Sequence, residues 1–443
     1  MKDSRLSGAY RLEVNGWDFV HVEGGPRQIG FQHGFLLAER IDETVKRIRF
    51  WYSLIAKRDW EFFRENAERL YVAHLSEEQR SEIEGIVEGL SARGIVFDFN
   101  DIVALNGWLD SQSMHYWLKS TGGVSHAIPQ PGGCSAFIAT GSYTHDNEIV
   151  VGHNLWWCYL VGSMWNVLID LEPERGNKVL MQILPGCITS SSDWCISSSG
   201  LIVTETTITG TTQFDPQGAP YFARARKAIQ YSADIDQWIS TMVEGNNGGY
   251  ANDWLVGNLK TGEIAVLELG AFHHKIEKKR DGYFVGCNKA LYPEVQEETV
   301  FDYASQKTSP TARGRRLVEL METNRGGIDA GKAKEILADH FDPSLKKDTP
   351  SACSVCGHVE DDETGLADWE WGPKFPGGTL DAKVTTGSLA AQGATWALWG
   401  KPCGTDFIAD QFLNSNPNYG AQRQLLSDVK AYPWTFFNPR FHD

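Results

Sequence analysis

The stretch Gly132–Trp157, reading GGCSAFIATGSYTHDNEIVVGHNLWW, limits what this chain can fold into more than any other. A cysteine follows two glycines and leads into a run of strand formers, Ser135 to Thr140. His145-Asp146-Asn147 supplies turn residues, and Glu148 to Gly152 is a second strand candidate running into His153-Asn154. The pattern predicts a β-hairpin with Cys134 at its entrance. Antiparallel pairing lays the start of one strand beside the end of the other, so His153 and Asn154 are expected near the Cys134 sulfur. A thiol, an imidazole and an amide at one strand end suit acyl transfer. Taken singly, each has a plainer reading: a lone cysteine in an apolar strand is a small buried hydrophobe, and a His-Asn pair simply ends a strand.

The chain before this hairpin reads as helical. Residues 10 to 22 look like an opening strand, and Pro26 can start a helix whose face carries Phe35, Leu36, Ile41, Val45 and Ile48. Gly30 and Gly34 lie on one side of it and permit close approach of another backbone. Ser76 and Gln79 form a capping-box signature before the stripe Ile83, Ile86, Val87 and Leu90, with Gly94 as the stop. Thr121 to Gly133, with Pro129 and Pro131, reads as an exposed linker, and the shift from helix-rich to strand-rich sequence falls at Cys134.

Downstream, strands are predicted at Trp165 to Leu171, Lys178 to Leu184, Trp194 to Ser197, Leu201 to Thr207, Asn252 to Gly257 and Glu263 to Leu269. Helices are predicted at 221–231, 234–243, Thr311 to Glu322 and 330–340. The last hundred residues, including Leu389 to Trp399, read as strands and irregular packing. Trp156 and Trp157 beside the cysteine fill a core by default, or line an apolar acyl pocket.

Gly133-Cys134-Ser135-Ala136 followed by Gly152-His153-Asn154-Leu155-Trp156 resembles the N-terminal-nucleophile (Ntn) hydrolases, in the branch of isopenicillin-N acyltransferase-like and phospholipase B-like proteins. Gly25-Pro26, Gly30, Gln32 and Gly34 are similar to the N-terminal segment of the same family. Bile-salt-hydrolase-type relatives place arginine at the position of His153 and aspartate at that of Trp156, so the phospholipase B-like version is the one resembled. The resemblance implies an α+β fold, a four-layer αββα sandwich with a mostly helical N-terminal segment. It implies self-cleavage between Gly133 and Cys134, dividing the chain into residues 1–133 and a catalytic 134–443. Cys134 would be the nucleophile and its freed α-amino group the base. Asn252 would complete an oxyanion hole, with Asn246 and Asn247 as weaker choices, while His153 and Asn154 orient amine and substrate. Glu268 matches a family glutamate. Arg313 or Arg316 would reach the site, although a run of arginines on a helix is by default solvated.

Composition narrows the function classes. A formal charge of -16 disfavours nucleic acid or anionic membrane as partner, since both reward basic patches. The opening MKDSRLSGAYRLEV shows no apolar leader run, and no stretch has the roughly 20 apolar residues of a membrane span, so a cytoplasmic enzyme with reduced thiols is expected. Cys353, Cys356 and His358 offer thiolate and imidazole to zinc, but a structural site takes four ligands and no second CxxC or HxxxH follows, so neither metal nor cofactor is expected. The expected activity is autoproteolytically activated hydrolysis or acyl transfer at an amide of an N-acyl compound or small peptide. The alternatives are a phospholipase B-like ester or lipid deacylase, and a non-catalytic binding protein with the same fold.

Overall fold

A computed structural model describes residues 3–55, 57–120, 132–191, 194–366, 369 and 371–439. The chain forms two compact units, each gathering separated stretches: Met1–Ile128, Met164–Leu201 and Thr212–Tyr250 in the first, and Pro129–Ser163, Ile202–Thr211 and Ala251–Asp443 in the second. The architecture is mixed α+β with large sheets.

In the first unit, Asn15-Gly16 makes the opening turn. Both residues take positive φ (46° and 80°), splitting the expected single strand into the hairpin Tyr10–Val14 and Trp17–Gly24. Trp17–Gly24 pairs in parallel with Val167–Pro173, which continues through Val179–Ile183 to Cys195–Ser197. Helix Pro26–Leu36 begins on its proline, and helix Glu77–Ala92 on a complete Ser76/Gln79 capping box. These two helices meet backbone to backbone. A Cβ at Gly30 would lie 1.9 Å from the Glu82 carbonyl oxygen, and one at Gly34 would lie 2.2 Å from that of Ile86. Gly85 and Gly89 reciprocate, at 2.2 Å from the Arg27 oxygen and 2.3 Å from the Phe31 oxygen. No side chain but hydrogen fits this seam. Gln32 points the other way, accepting the Glu23 N–H at 2.8 Å and donating to the Arg5 carbonyl at 2.8 Å.

The second unit holds a six-stranded antiparallel sheet in the order Gly282–Gly286, Gly132–Thr140, Val150–Cys158, Gly377–Thr386, Thr395–Trp399, Thr435–Phe437. Helices Ser309–Thr323 and Ala330–Leu337 cover one face, burying Leu317, Met321, Ile336 and Leu337 against Phe137, Ala139, Val150, Ala382 and Val384. The other face meets strands of a second sheet, in which Leu201–Thr207, Asn252–Asn258, Glu263–Leu269 and His274–Lys279 follow one another. A Cβ at Gly257 would stand 3.1 Å from Ile138 and 3.2 Å from Ile149 across that interface.

Several expectations shift in detail. The expected linker lies outside the described residues except for Gly132 and Gly133, which already belong to the first strand of the hairpin. The second strand runs from Val150 to Cys158 rather than Glu148 to Gly152, because Gly377–Thr386 pairs along its length and all its residues are buried. Gly377–Thr386 itself went unrecognised: Asp381 and Lys383 break its apolar pattern, yet both are fully buried as an ion pair. Only Thr395–Trp399 of the Leu389 to Trp399 candidate is strand, since Gly387–Ala390 makes a helical turn. Among the described residues no helix is long and apolar enough to cross a membrane.

Candidate functional site

Cys134 is the third residue of its strand and almost fully buried. Its register partner is Leu155, while Ala136 pairs with His153 and Ser135 with Asn154. Directly opposed residues share a sheet face, so Cys134 and His153 project to one side and Asn154 to the other. The Cys134 sulfur, a His153 ring nitrogen and a Glu205 carboxylate oxygen lie within 4.8 Å of one another, and the thiol reaches Glu205 Oε1 at 3.7 Å. Asn154 instead donates from Nδ2 to the carbonyls of Leu337 (2.8 Å) and Val355 (3.1 Å), fixing helix and loop to the outer face.

The nitrogen of Cys134 is held by a side chain. Strand Gly282–Gly286 pairs no further than Gly286 opposite Ala136, so its ladder ends before Cys134. Just beyond that end stands Asn288, whose Oδ1 accepts the Cys134 N–H at 2.9 Å. Asn288 adopts φ 71°, a left-handed conformation that asparagine tolerates better than most residues. Its Nδ2 donates to the Thr207 carbonyl at 2.9 Å, and its Oδ1 also accepts from Arg313 Nη2 at 2.9 Å. Arg313, fully buried, donates from Nη1 to the Cys134 carbonyl at 2.6 Å and to Ser135 Oγ at 3.0 Å. Its guanidinium stacks 4.3 Å over the Trp156 ring. Burial pulls Arg313 down to about 10, so it still carries its charge at neutral pH.

Behind the cysteine, Gly133 has no room for a side chain: a Cβ would meet Trp369 at 2.4 Å and Asn288 Oδ1 at 2.6 Å. Trp156, opposite Gly133, is fully buried between Arg313, the edge of Trp369 and Gly357. Trp157 is also buried, opposite Gly132 and Gly378.

The electrostatics around the sulfur are uneven. His153 is pulled well below the ordinary imidazole range, first by burial and then by Lys383, and is therefore neutral at physiological pH. Across the interface Asp253 is pushed well above the carboxylate range by burial and by its partner Glu268. Glu268 accepts the backbone N–H groups of Leu291 and Tyr292, the latter at 2.9 Å, which favours charge on Glu268 and the proton on Asp253.

Of the other candidates, Asn252 is buried at the start of its strand, opposite Leu269. Asn247 donates to Asp110 Oδ1 at 2.7 Å, and Asn246 accepts the Gly248 N–H in a turn. Arg316 points away from Arg313 to a bidentate pair with Asp339 at 2.9 and 2.7 Å. Sequence reasoning missed Glu205 and Asn288. Only the strand run containing Glu205 was readable, and nothing near Cys134 in sequence points to either. A cavity of about 750 Å³ in the first unit, lined by residues such as His74, Glu78, Arg226 and Tyr231, contains none of these side chains.

A buried cysteine whose nitrogen, carbonyl and sulfur each have a polar partner, set in a mixed α+β unit, defines a cysteine-centred candidate site. The profile of the family described as Phospholipase B matches residues 70–273, a span that includes Cys134, His153, Glu205 and Asn252. An uncharacterized protein of Archaeoglobus fulgidus is 25% identical over 363 residues, covering 74% of this chain and 58% of that protein. Human phospholipase B-like 1 is 24% identical over 301 residues, covering 61% of this chain and 52% of its own length. Phospholipase B-like protein F of Dictyostelium discoideum is 26% identical over 153 residues, covering 32% and 27%. These matches relate the chain to the phospholipase B-like family. The chain thus aligns with little more than half the length of the Archaeoglobus fulgidus protein and of human phospholipase B-like 1.

Proposed function

We propose that this chain is an acyl hydrolase of the Ntn type that uses Cys134 as nucleophile. The observation that carries the reading is the Cys134 N–H held on the Asn288 side chain rather than on a strand ladder. After scission before Cys134, that oxygen would hold a free α-amino group beside the thiol. The amine, with an ordinary value near ~8, serves as base at neutral pH. His153, neutral and weakly basic, is poorly suited to that task. Arg313 fixes the Cys134 carbonyl and so the direction of the side chain, and Asn252 is the proposed oxyanion donor. The four-layer αββα arrangement, with residues 134–443 as the large chain, belongs to the same reading.

Activation balances without an added reagent. Cys134 Sγ loses its proton to Glu205 and attacks the Gly133 carbonyl; the Gly133–Cys134 C–N bond breaks as a thioester forms and the nitrogen takes up a proton. Water then releases the Gly133 carboxylate and restores the thiol. Turnover repeats the sequence on an acyl substrate, an amide of an N-acyl compound or small peptide being the first choice. The names of the phospholipase B-like relatives favour an ester or lipid acyl bond as the second reading.

Denaturing mass spectrometry with N-terminal sequencing tests the mechanism. Active protein is expected as fragments of 133 and 310 residues, the larger beginning at Cys134, within a chain of 443. Cys134→Ala is expected to remain one chain and to be inactive. Active wild type that stays intact would remove the α-amino group as base.

A further inference from the structure

Cys356 and His358 gain two partners that lie far from them in sequence. His340 follows the helix Ala330–Leu337, and Cys403 sits in the turn after the strand Thr395–Trp399. One ligand-capable atom from each of His340, Cys356, His358 and Cys403 lies within 4.8 Å of all the others. The imidazoles approach through their Nε2 atoms at 3.1 Å, and His358 Nε2 is 3.7 Å from the Cys356 sulfur and 3.5 Å from that of Cys403. We propose that these four side chains form a structural zinc site of the Cys2His2 type.

The spacing fits the ion. Tetrahedral zinc with ordinary bond lengths sets nitrogen–nitrogen separations of about 3.3 Å, sulfur–nitrogen of about 3.6 Å and sulfur–sulfur of about 3.8 Å. Two thiolates and two neutral imidazoles balance the charge of the dication, and four protein ligands close the shell, leaving no position for substrate. The surroundings suit it as well. The other ring nitrogen of His358, Nδ1, lies 3.4 Å from Glu360 and 3.5 Å from Asp361, the carboxylate backing common behind a metal-bound histidine. Glu360 is itself fixed by Lys401 and by the Tyr159 hydroxyl at 2.9 Å. The backbone is preset: the Cys356 N–H donates to the Asp339 carbonyl at 3.0 Å, the His358 N–H to that of Ser351 at 3.0 Å, and Gly404 N–H closes the Cys403 turn onto Lys401 at 2.9 Å. Cys353 is outside the cluster, its sulfur 3.9 Å from the Lys307 carbonyl.

Such an ion would brace one wall of the candidate site. Gly357, between the two ligands Cys356 and His358, presses on the Trp156 ring, where a Cβ would come within 2.0 Å. Val355, one residue before Cys356, accepts the Asn154 amide through its carbonyl. The ion would thus pin the segment that backs Trp156 and, through it, Arg313.

The test uses the full chain, purified from zinc-supplemented medium without chelator. Elemental analysis is expected to find one zinc per chain, retained in Cys353→Ser and lost in the double variant His340→Ala/Cys403→Ser. Replacing zinc with cobalt(II) in the wild type should give the visible bands of a four-coordinate thiolate site. Should the double variant fail to fold, thiol labelling of wild type decides instead: Cys356 and Cys403 are expected to react only after chelation, while Cys353 reacts with or without zinc. Folded wild type with no zinc and no cobalt spectrum would overturn the proposal. So would a Cys356–Cys403 disulfide in freshly purified protein, or zinc retained by the double variant.

Discussion

Replacing Asn288 probes the proposed site most directly. Asn288→Ala removes the acceptor of the Cys134 N–H, an acceptor of Arg313 and the donor to the Thr207 carbonyl. All three partners are buried, and each stranded group costs about 1–3 kcal/mol, so the loss is roughly 3–9 kcal/mol. Alanine at φ 71° adds about 1–2 kcal/mol of backbone strain. Against a total stability of about 5–15 kcal/mol, such a chain stands near its limit. Asn288→Gly loses the same hydrogen bonds without the strain and is the better variant. If Asn288 orients the nitrogen that becomes the base, a charge-assisted hydrogen bond of about 1.5–3 kcal/mol is lost. Turnover should then fall about 10- to 150-fold. Intact mass would report the fraction cleaved before Cys134, and release of free acid from an N-acyl amino acid would report turnover. A folded Asn288→Gly chain that cleaves and turns over at the wild-type rate would refute the reasoning.

Gly85→Ala should lower the melting temperature by roughly 4–8 °C from overpacking, although the same change on an open helix would be stabilising. Differential scanning calorimetry against Ser91→Ala, an exposed position on the same helix, measures it, and a rise would mean that the seam yields. The stability of the first unit should also depend on pH through His33. Burial first, and then Arg226, lowers this imidazole to about 3, and its Nε2 accepts the Gly186 N–H at 3.0 Å. A depressed imidazole contributes stability above its unfolded value near ~6.5, and that contribution disappears as pH falls towards about 3. His33→Gln should flatten this acid limb in chemical denaturation at stepped pH, and an unchanged slope would exclude His33 as its source.

What could be read from the sequence follows the range of the interactions. The capping box at Ser76 and the glycine face of Gly30 and Gly34 are local patterns, and the structure places both in the expected roles. The nearness of Cys134 and His153 was also readable, because a hairpin converts sequence order into register. The opposite face taken by Asn154 follows from the same alternation once the strand is known to continue past Gly152. Asn288 and Glu205 were hidden, since they reach Cys134 only through the pairing of distant strands. His340 and Cys403 were hidden from the Cys356–His358 motif for the same reason. Gly377–Thr386 escaped because a buried Lys-Asp pair reads as polar surface.

The order in which these partners leave the ribosome matters for when Cys134 can react. Asn288 follows it by 154 residues and Arg313 by 179. At bacterial and eukaryotic synthesis speeds the second interval lasts about 10–35 s. For the first 154 of those residues the cysteine has neither the acceptor for its nitrogen nor the cation for its carbonyl, and for the rest it still lacks the cation. A chain arrested before Arg313 would carry the thiol but not the full set of groups that hold it. Under the proposed mechanism, chain length acts as a clock that keeps unfinished polypeptides from cutting themselves.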